Sequence, residues 1–81
     1  MITRIQCKMA RAAVGWGVRD LAAKAGVGVA TVTRFENGQS VPIPANLSAI
    51  QRAFEAAGVI FIEENGEGPG VRLRKAGVNN G

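Results

Sequence analysis

The sequence predicts a mainly α domain of four helices followed by a C-terminal β-hairpin. Up to residue 58, apolar residues recur at helical spacing through four segments. At Val59 the period changes to a continuous β-branched and aromatic run, and a Gly-rich connector separates that run from a second, alternating segment. The 81 residues suffice for one such domain with a modest core, but they are too few for a core plus a buried substrate chamber.

The first helix is predicted from Arg4 to about Val14. Thr3 and Gln6 have the capping-box spacing, in which two side chains satisfy amides that are left unpaired at a helix start. Helical spacing assigns the buried face of this segment to five residues: Ile5, Met9, Ala12, Ala13 and Trp16. The solvent face is assigned to Arg4, Gln6 and Lys8.

Residues 18–38 are predicted to form a short helix, a tight turn and a second helix. Gly26 stands where the first of these helices must end, because the chain reverses there through a left-handed conformation that costs other residues about 1 kcal/mol or more. Ala22 is small where two helices joined by so short a turn approach each other. In the second helix, residues 29–37, spacing turns Val32 and Phe35 inward and leaves outside Val29, Ala30, Thr33 and Arg34.

A fourth helix and a hairpin complete the prediction. Pro44 suits the first turn of a helix that runs to about Ala57, and strands are expected at residues 59–62 and 71–75. Because a hairpin with two apolar faces needs cover on both, we expect one side to pack on the helices and the other to meet a second protomer. The alternative is a hairpin folded only on its own domain. The expected dimer interface comprises Val59, Ile60, Phe61, Ile62, Val71 and Leu73.

Composition excludes several function classes. Ten basic residues against six acidic ones give a net charge of +4, which favours polyanionic partners, although simple solubility is the alternative interpretation. The chain contains no His or Tyr, its carboxylates are scattered, and its one cysteine, Cys7, has no His partner. We therefore expect no enzyme activity, no cofactor and no metal site. A single cysteine, with neither a signal-peptide pattern nor a membrane span, indicates a cytoplasmic protein.

Residues 3–58 resemble the XRE-type, or lambda-repressor/Cro-like, helix-turn-helix family. The matching residues are Leu21-Ala22, the turn Ala25-Gly26-Val27, Thr31-Val32 and Phe35-Glu36-Asn37-Gly38. The resemblance implies a bacterial or phage regulator, a repressor of transcription, that binds double-stranded DNA as a homodimer with helix 29–37 in the major groove. Together with the change of period at Val59, it predicts a helix-turn-helix domain (1–58), while the two apolar faces of the hairpin (59–75) indicate a probable dimerisation element, and residues 76–81 are expected to form a flexible tail.

The resemblance also implies roles for individual residues. Those that would face base edges are Val29, Ala30, Thr33 and Arg34. Those that would approach phosphates are Gly17, Val18, Asn37 and Gly38, to which Arg19 and Thr31 are added as neighbouring polar side chains. Arg34 could bond guanine O6 and N7 together, worth about 1 to 3 kcal/mol of discrimination, or it could contact a phosphate or water instead. Arg11 and Glu36 occupy positions that form an ion pair in this family.

Two departures from the family pattern support a second hypothesis. Gly17-Val18 stands where the family often has Ser-Gln, and Val29-Ala30 replaces polar residues at the start of the second helix. Apolar side chains at that position can contact thymine methyl groups. They could equally contact another protein. The alternative function is therefore a protein-binding module on the same fold, such as an antitoxin or an antiactivator.

Overall fold

Four helices precede a two-stranded antiparallel hairpin in the computed structural model, which describes residues 1–74. The elements are α1 Arg4–Val14, α2 Val18–Ala25, α3 Val29–Glu36, α4 Pro44–Ala56, β1 Val59–Ile62 and β2 Gly70–Leu73. The predicted fold class is confirmed, and the ends of the helices fall within one residue of their predicted positions. Lys75 of the predicted second strand and the predicted tail, residues 76–81, lie outside the described residues.

Helix α1 begins with the predicted capping box but buries a different face. The Gln6 amide donates to Thr3 Oγ1 at 3.1 Å, and the Thr3 amide donates to Gln6 Oε1 at 2.9 Å. The buried residues of α1 are Gln6, Cys7 and Ala10, whereas the outside carries Ile5, Ala12 and Ala13. The prediction was therefore wrong for Ile5, Ala12 and Ala13, which are exposed, and for Gln6, which is buried. Residues 7, 10 and 14 also have helical spacing, and polar contacts of Gln6 and Cys7 decide between the two faces.

Helices α2 and α3 are joined by the predicted tight turn. Gly26 has φ +71°, and its amide and that of Val27 both donate to the carbonyl of Ala22, at 2.9 and 3.0 Å. Two amides thus satisfy one carbonyl at the end of α2 while the left-handed glycine reverses the chain. Ala22 and Leu21 are both buried on α2, which contacts α3 and α4.

Phe54 of α4 is fully buried and joins the helices to the hairpin. Its ring is stacked on Trp16 with centroids 5.4 Å apart, and it meets the ring of Phe61 edge to face at 6.0 Å. Both arrangements are favourable for aromatic pairs. Trp16, which helical spacing assigned to the buried face, is half-buried and packs on α4 from the turn between α1 and α2.

The hairpin pairs within the chain, with Val59 opposite Leu73 and Ile62 opposite Gly70. Val59 is only 2% exposed, and Phe61 and Val71 pack against the helical core. Val59 is therefore not available to a second protomer, contrary to the expected interface, because its side chain completes the core of its own domain. The more accessible apolar residues of the hairpin are Ile60, Ile62 and Leu73.

Gln6 holds the hairpin against α1. Its Nε2 donates to the carbonyls of Ile62 and Gly70, at 3.1 and 3.0 Å, and so engages both strands at the tip end of the ladder. Helix α1 contacts α3 as well as both strands. Arg11 reaches α3 while Gln6 reaches the hairpin, so different sides of one helix support the two elements.

Candidate nucleic-acid interface

The outer face of α3 is exposed as the spacing predicted. Its underside is anchored by Val32 and Phe35, which are both buried in the core. Val29 is 38% exposed, and the other outward residues are also exposed: Ala30, Thr33 and Arg34. The buried residues fix α3 on the core and leave its outer face exposed. An α-helix exposed in this way can enter the major groove of DNA, which is about 12 Å wide.

Helix α3 is tied to α1 by an ion pair beneath the exposed face. Arg11 Nε lies 2.7 Å from Glu36 Oε2, and Arg11 Nη2 lies 2.8 Å from Glu36 Oε1. The Cys7 thiol also donates to Glu36 Oε2 at 3.2 Å, and Arg11 Nη1 donates to the carbonyl of Trp16 at 3.1 Å. Glu36 is 4% exposed, so these donors replace the water that its carboxylate has lost.

This network sets the charge states of its members. Burial raises the pKa of Glu36, but hydrogen bonds from Arg11 and Cys7, together with the positive charge of Arg11, outweigh burial and hold its pKa below the ordinary value. The hydrogen bond to Glu36 raises the pKa of Arg11. Burial first, and then the neighbouring carboxylate, raise the pKa of Cys7 far above its usual range. The pair is therefore ionised at neutral pH, and the thiol is protonated.

The start of α2 differs from the expected phosphate site. The Gly17 amide donates to Asp20 Oδ2 at 2.8 Å, so a carboxylate of the same chain already occupies this amide. Val18 is half-buried, and Arg19 is exposed. Because Asp20 brings negative charge to this helix end, a phosphate there would have to displace or tolerate it. The position of Gly17 directly before α2 predicts an available amide. The carboxylate of Asp20, three residues later, competes for that amide.

A basic side chain, that of Arg4, lies beside the C-terminal end of α3. Helical spacing predicted only that Arg4 faces solvent. Asn37 and Gly38 are exposed after the helix, and Gly38 has φ +79°. Arg4 Nη1 donates to the carbonyl of Glu36 at 3.4 Å, and the Arg4 side chain lies beside Gly38. Arg4 and Arg11 are two helical turns apart on one side of α1, which is the spacing that could have identified Arg4.

Positive charge is concentrated in the helical part of the chain. Residues 1–58 contain seven basic and three acidic side chains, whereas residues 59–74 contain two basic and three acidic ones. The helices, and not the hairpin, therefore carry the net positive charge that attracts a polyanion. Within residues 1–74, no group of three or more His, Cys, Asp or Glu side chains could hold a metal ion. No helix of the same part of the chain has the length and apolar character to cross a membrane.

Comparison with known proteins agrees with this geometry. A protein-family model described as helix-turn-helix matches residues 8–56, which is more than half of the chain. The match runs from the first helix through α4 and ends before the hairpin. The search of the curated proteins finds no match.

Proposed function

We propose that this chain, which belongs to the XRE-type helix-turn-helix family of DNA-binding domains, is a transcriptional repressor that binds operator DNA as a homodimer in the bacterial cytoplasm. Family membership establishes the general type, a DNA-binding transcription regulator. The repressor role, the homodimer and the individual contacts are our proposal. In it, α3 lies in the major groove and blocks a promoter by occupying it.

One observation carries the proposal. Helix α3 is seated by buried side chains and by the Arg11–Glu36 pair, while its outer face is free. Such an arrangement presents a surface whose shape is fixed before binding, which limits the ordering cost of association. Arg34 is the one cationic side chain on the outer face of α3 and is proposed to bond guanine O6 and N7.

The other exposed residues of α3 are proposed to make less specific contacts with DNA than Arg34 does. Val29 and Ala30 would contact thymine methyl groups, and Thr33 would contact a base or a phosphate. The side-chain amide of Asn37 would donate to a phosphate, and the exposed backbone at Gly38 would lie close to it, with Arg4 adding charge beside them. Affinity would then depend mainly on the phosphate contacts and sequence preference mainly on Arg34.

The decisive experiment is selection of binding sites from a library of random duplexes. We expect an enriched, roughly palindromic site whose half-sites lie about 10 base pairs apart, because each protomer reads one turn of the groove. Affinity for the selected site should fall with salt by a slope in log K of about −0.9 per phosphate neutralised. Failure of any site to enrich over a random duplex would overturn the proposal.

A matched pair of variants assigns the reading contact. Arg34→Ala should lower affinity for the selected site at least tenfold, in line with about 1 to 3 kcal/mol for a bidentate contact, and should relax the preference at one base pair of each half-site. Arg52→Ala removes the same charge from an exposed position on α4 and should leave that preference unchanged. Equal effects of the two substitutions would show that Arg34 contributes charge only.

A protein-binding function remains the second candidate, and two observations favour it. The first turn of α3 exposes Val29 and Ala30, and Asp20 occupies the amide at the start of α2. This function predicts only non-specific affinity for DNA together with a co-purifying protein. Val29→Glu should release that protein while the fold, checked by circular dichroism, stays intact.

A further inference from the structure

The hairpin has an apolar outer face that its own chain covers only in part, since Ile60 is half-buried and Ile62 is exposed. Successive residues of a strand point to opposite faces, and Val59 and Phe61 point to the core. Ile60 and Ile62 therefore occupy the other face, where Ile62 is 36% exposed. Gly70 lies opposite Ile62, and a Cβ placed on it would meet no atom within 4 Å, so the surface there is open.

Charge is distributed unequally along this hairpin. Its tip carries three carboxylates, those of Glu63, Glu64 and Glu67, whereas its base carries Arg72 and Arg74. Glu64 Oε2 accepts the amides of Gly66 and Gly68, at 2.9 and 3.0 Å, which orders the tip.

Two of the tip carboxylates are free to act outside the chain. Within residues 1–74, no hydrogen bond engages the side chains of Glu63 and Glu67, which are both exposed, as is Arg72 at the other end. The outer face of the hairpin is thus negative at the tip and positive two residues further along β2, where Arg72 lies opposite Ile60.

We infer that the outer face of the hairpin binds the same face of a second copy of this chain, with the two hairpins antiparallel. In that alignment the acidic tip of each hairpin lies against the basic base of the other, and the isoleucines meet at the centre. A parallel alignment would place carboxylates against carboxylates and guanidinium groups against each other, which costs several kcal/mol. The inference gives the proposed homodimer its interface and therefore depends on that part of the proposed function.

The open surface at Gly70 fits this alignment. Arg72 pairs with Ile60 and lies two residues from Gly70 along β2, or about 7 Å at the rise of a strand. A two-fold axis between these positions would bring Arg72 of the second copy over Gly70, beside the acidic tip. A ribbon of four residue pairs offers less than the roughly 800 Å² per partner of a standard interface, so we expect a weak dimer that depends on its charges.

Charge reversal in the full chain tests the alignment. Sedimentation equilibrium in the absence of DNA should show dimers of the original chain at low salt, with dissociation at about 0.5 M salt, where the screening length is below about 10 Å. Glu63→Arg with Glu67→Arg gives a tip variant, and Arg72→Glu gives a base variant. Each should weaken dimerisation at least about tenfold, since each now brings like charges together.

The variant that combines both sets of reversals should dimerise better than either the tip variant or the base variant, because the two reversed tip side chains then lie against a side chain of opposite charge at position 72. Mixing the tip variant with the base variant should also give dimers. Arg52→Glu, an equal charge change on α4, is the matched control and should dimerise normally. Circular dichroism verifies that each variant is folded.

Three results would overturn the inference. They are a monomeric original chain at low salt, equal dimerisation by all the variants, or a combined variant that stays monomeric. None of these measurements includes DNA, so failure of site selection with normal charge-swap behaviour would reject the proposed function alone. Site enrichment with no effect of charge reversal would instead reject this interface alone.

Discussion

Arg11 and Glu36 are joined by two hydrogen bonds, of 2.7 and 2.8 Å, across the seam between α1 and α3. Two parallel bonds between a guanidinium and a carboxylate fix orientation as well as distance. The pair therefore determines how α3, with its exposed outer face, sits on the rest of the domain. The same ion pair therefore contributes to the stability of the domain and to the orientation of the exposed face of α3.

Arg11→Met should destabilise the protein by about 3 to 5 kcal/mol, because it leaves the buried carboxylate of Glu36 without its main partner. Urea unfolding at pH 7 measures the loss. The double variant Arg11→Met/Glu36→Leu should recover part of it, since no buried charge is then left unpaired. Arg52→Met, which removes an exposed cation from α4, should change stability by less than about 0.5 kcal/mol. Additive losses in the double variant would contradict this account.

Stability should fall in acid because of Glu36. Its pKa in the folded protein is below its ordinary value of about 4.3, so the contribution is complete above that value and is lost as the pH drops through the folded-state pKa. Urea unfolding between pH 7 and pH 2.5 should therefore show a decline below about pH 4. Glu36→Gln cannot titrate and should lose less stability over this range. Identical pH profiles for the two proteins would show that other carboxylates cause the decline.

Asp20→Asn should strengthen DNA binding several-fold. The substitution removes a negative charge from the start of α2 but keeps an oxygen that can accept the Gly17 amide. Fluorescence anisotropy with a labelled duplex at two salt concentrations measures the change, which should shrink at the higher concentration. Glu55→Gln removes an equal charge from an exposed position on α4 and serves as the control. If Glu55→Gln strengthened binding as much, only net charge would be at work.

Gln6→Glu should loosen the hairpin while preserving the start of α1. A glutamate side chain can still accept the Thr3 amide, as Gln6 Oε1 does, but it cannot donate to the carbonyls of Ile62 and Gly70. Leaving two carbonyls without a donor should cost about 1 to 3 kcal/mol. Hydrogen exchange should therefore accelerate at hairpin amides more than at those of α2. Uniform acceleration would indicate general destabilisation instead.

The order of the elements was predictable from the sequence because strong local signals mark their ends. Gly26 adopts the left-handed conformation expected at the end of α2, and the capping box of Thr3 and Gln6 is formed. The change of period at Val59 marked the hairpin correctly. Each of these signals depends on residues that are close together in the chain.

The buried face of α1 was not predictable in the same way. Periodicity favoured Ile5 and Met9, whereas the structure buries Gln6 and Cys7 because their polar groups find partners in Glu36 and in the hairpin. Those partners lie 29 or more residues away in the chain. Average hydrophobicity cannot anticipate a polar side chain whose hydrogen bonds are satisfied only after folding.

The candidate nucleic-acid interface was predictable only in part. Spacing placed Arg34 and Thr33 on the surface, and both are exposed. The bond from the Gly17 amide to Asp20 at the start of α2 was not among the predictions, although the two residues have the same capping-box spacing as Thr3 and Gln6. Whether Arg34 reads a base remains a prediction that the binding experiments address.

Helix α1 supports α3 through Arg11 and the hairpin through Gln6, and this separation has an evolutionary consequence. Substitutions on the outer face of α3 need not disturb the hairpin, and changes in the hairpin need not reorient α3. A replacement ribbon would have to bring two backbone carbonyls within reach of residue 6 and to place apolar side chains where Val59, Phe61 and Val71 pack on the helices. In the proposed repressor, the recognised DNA and the partner subunit can therefore change independently during evolution.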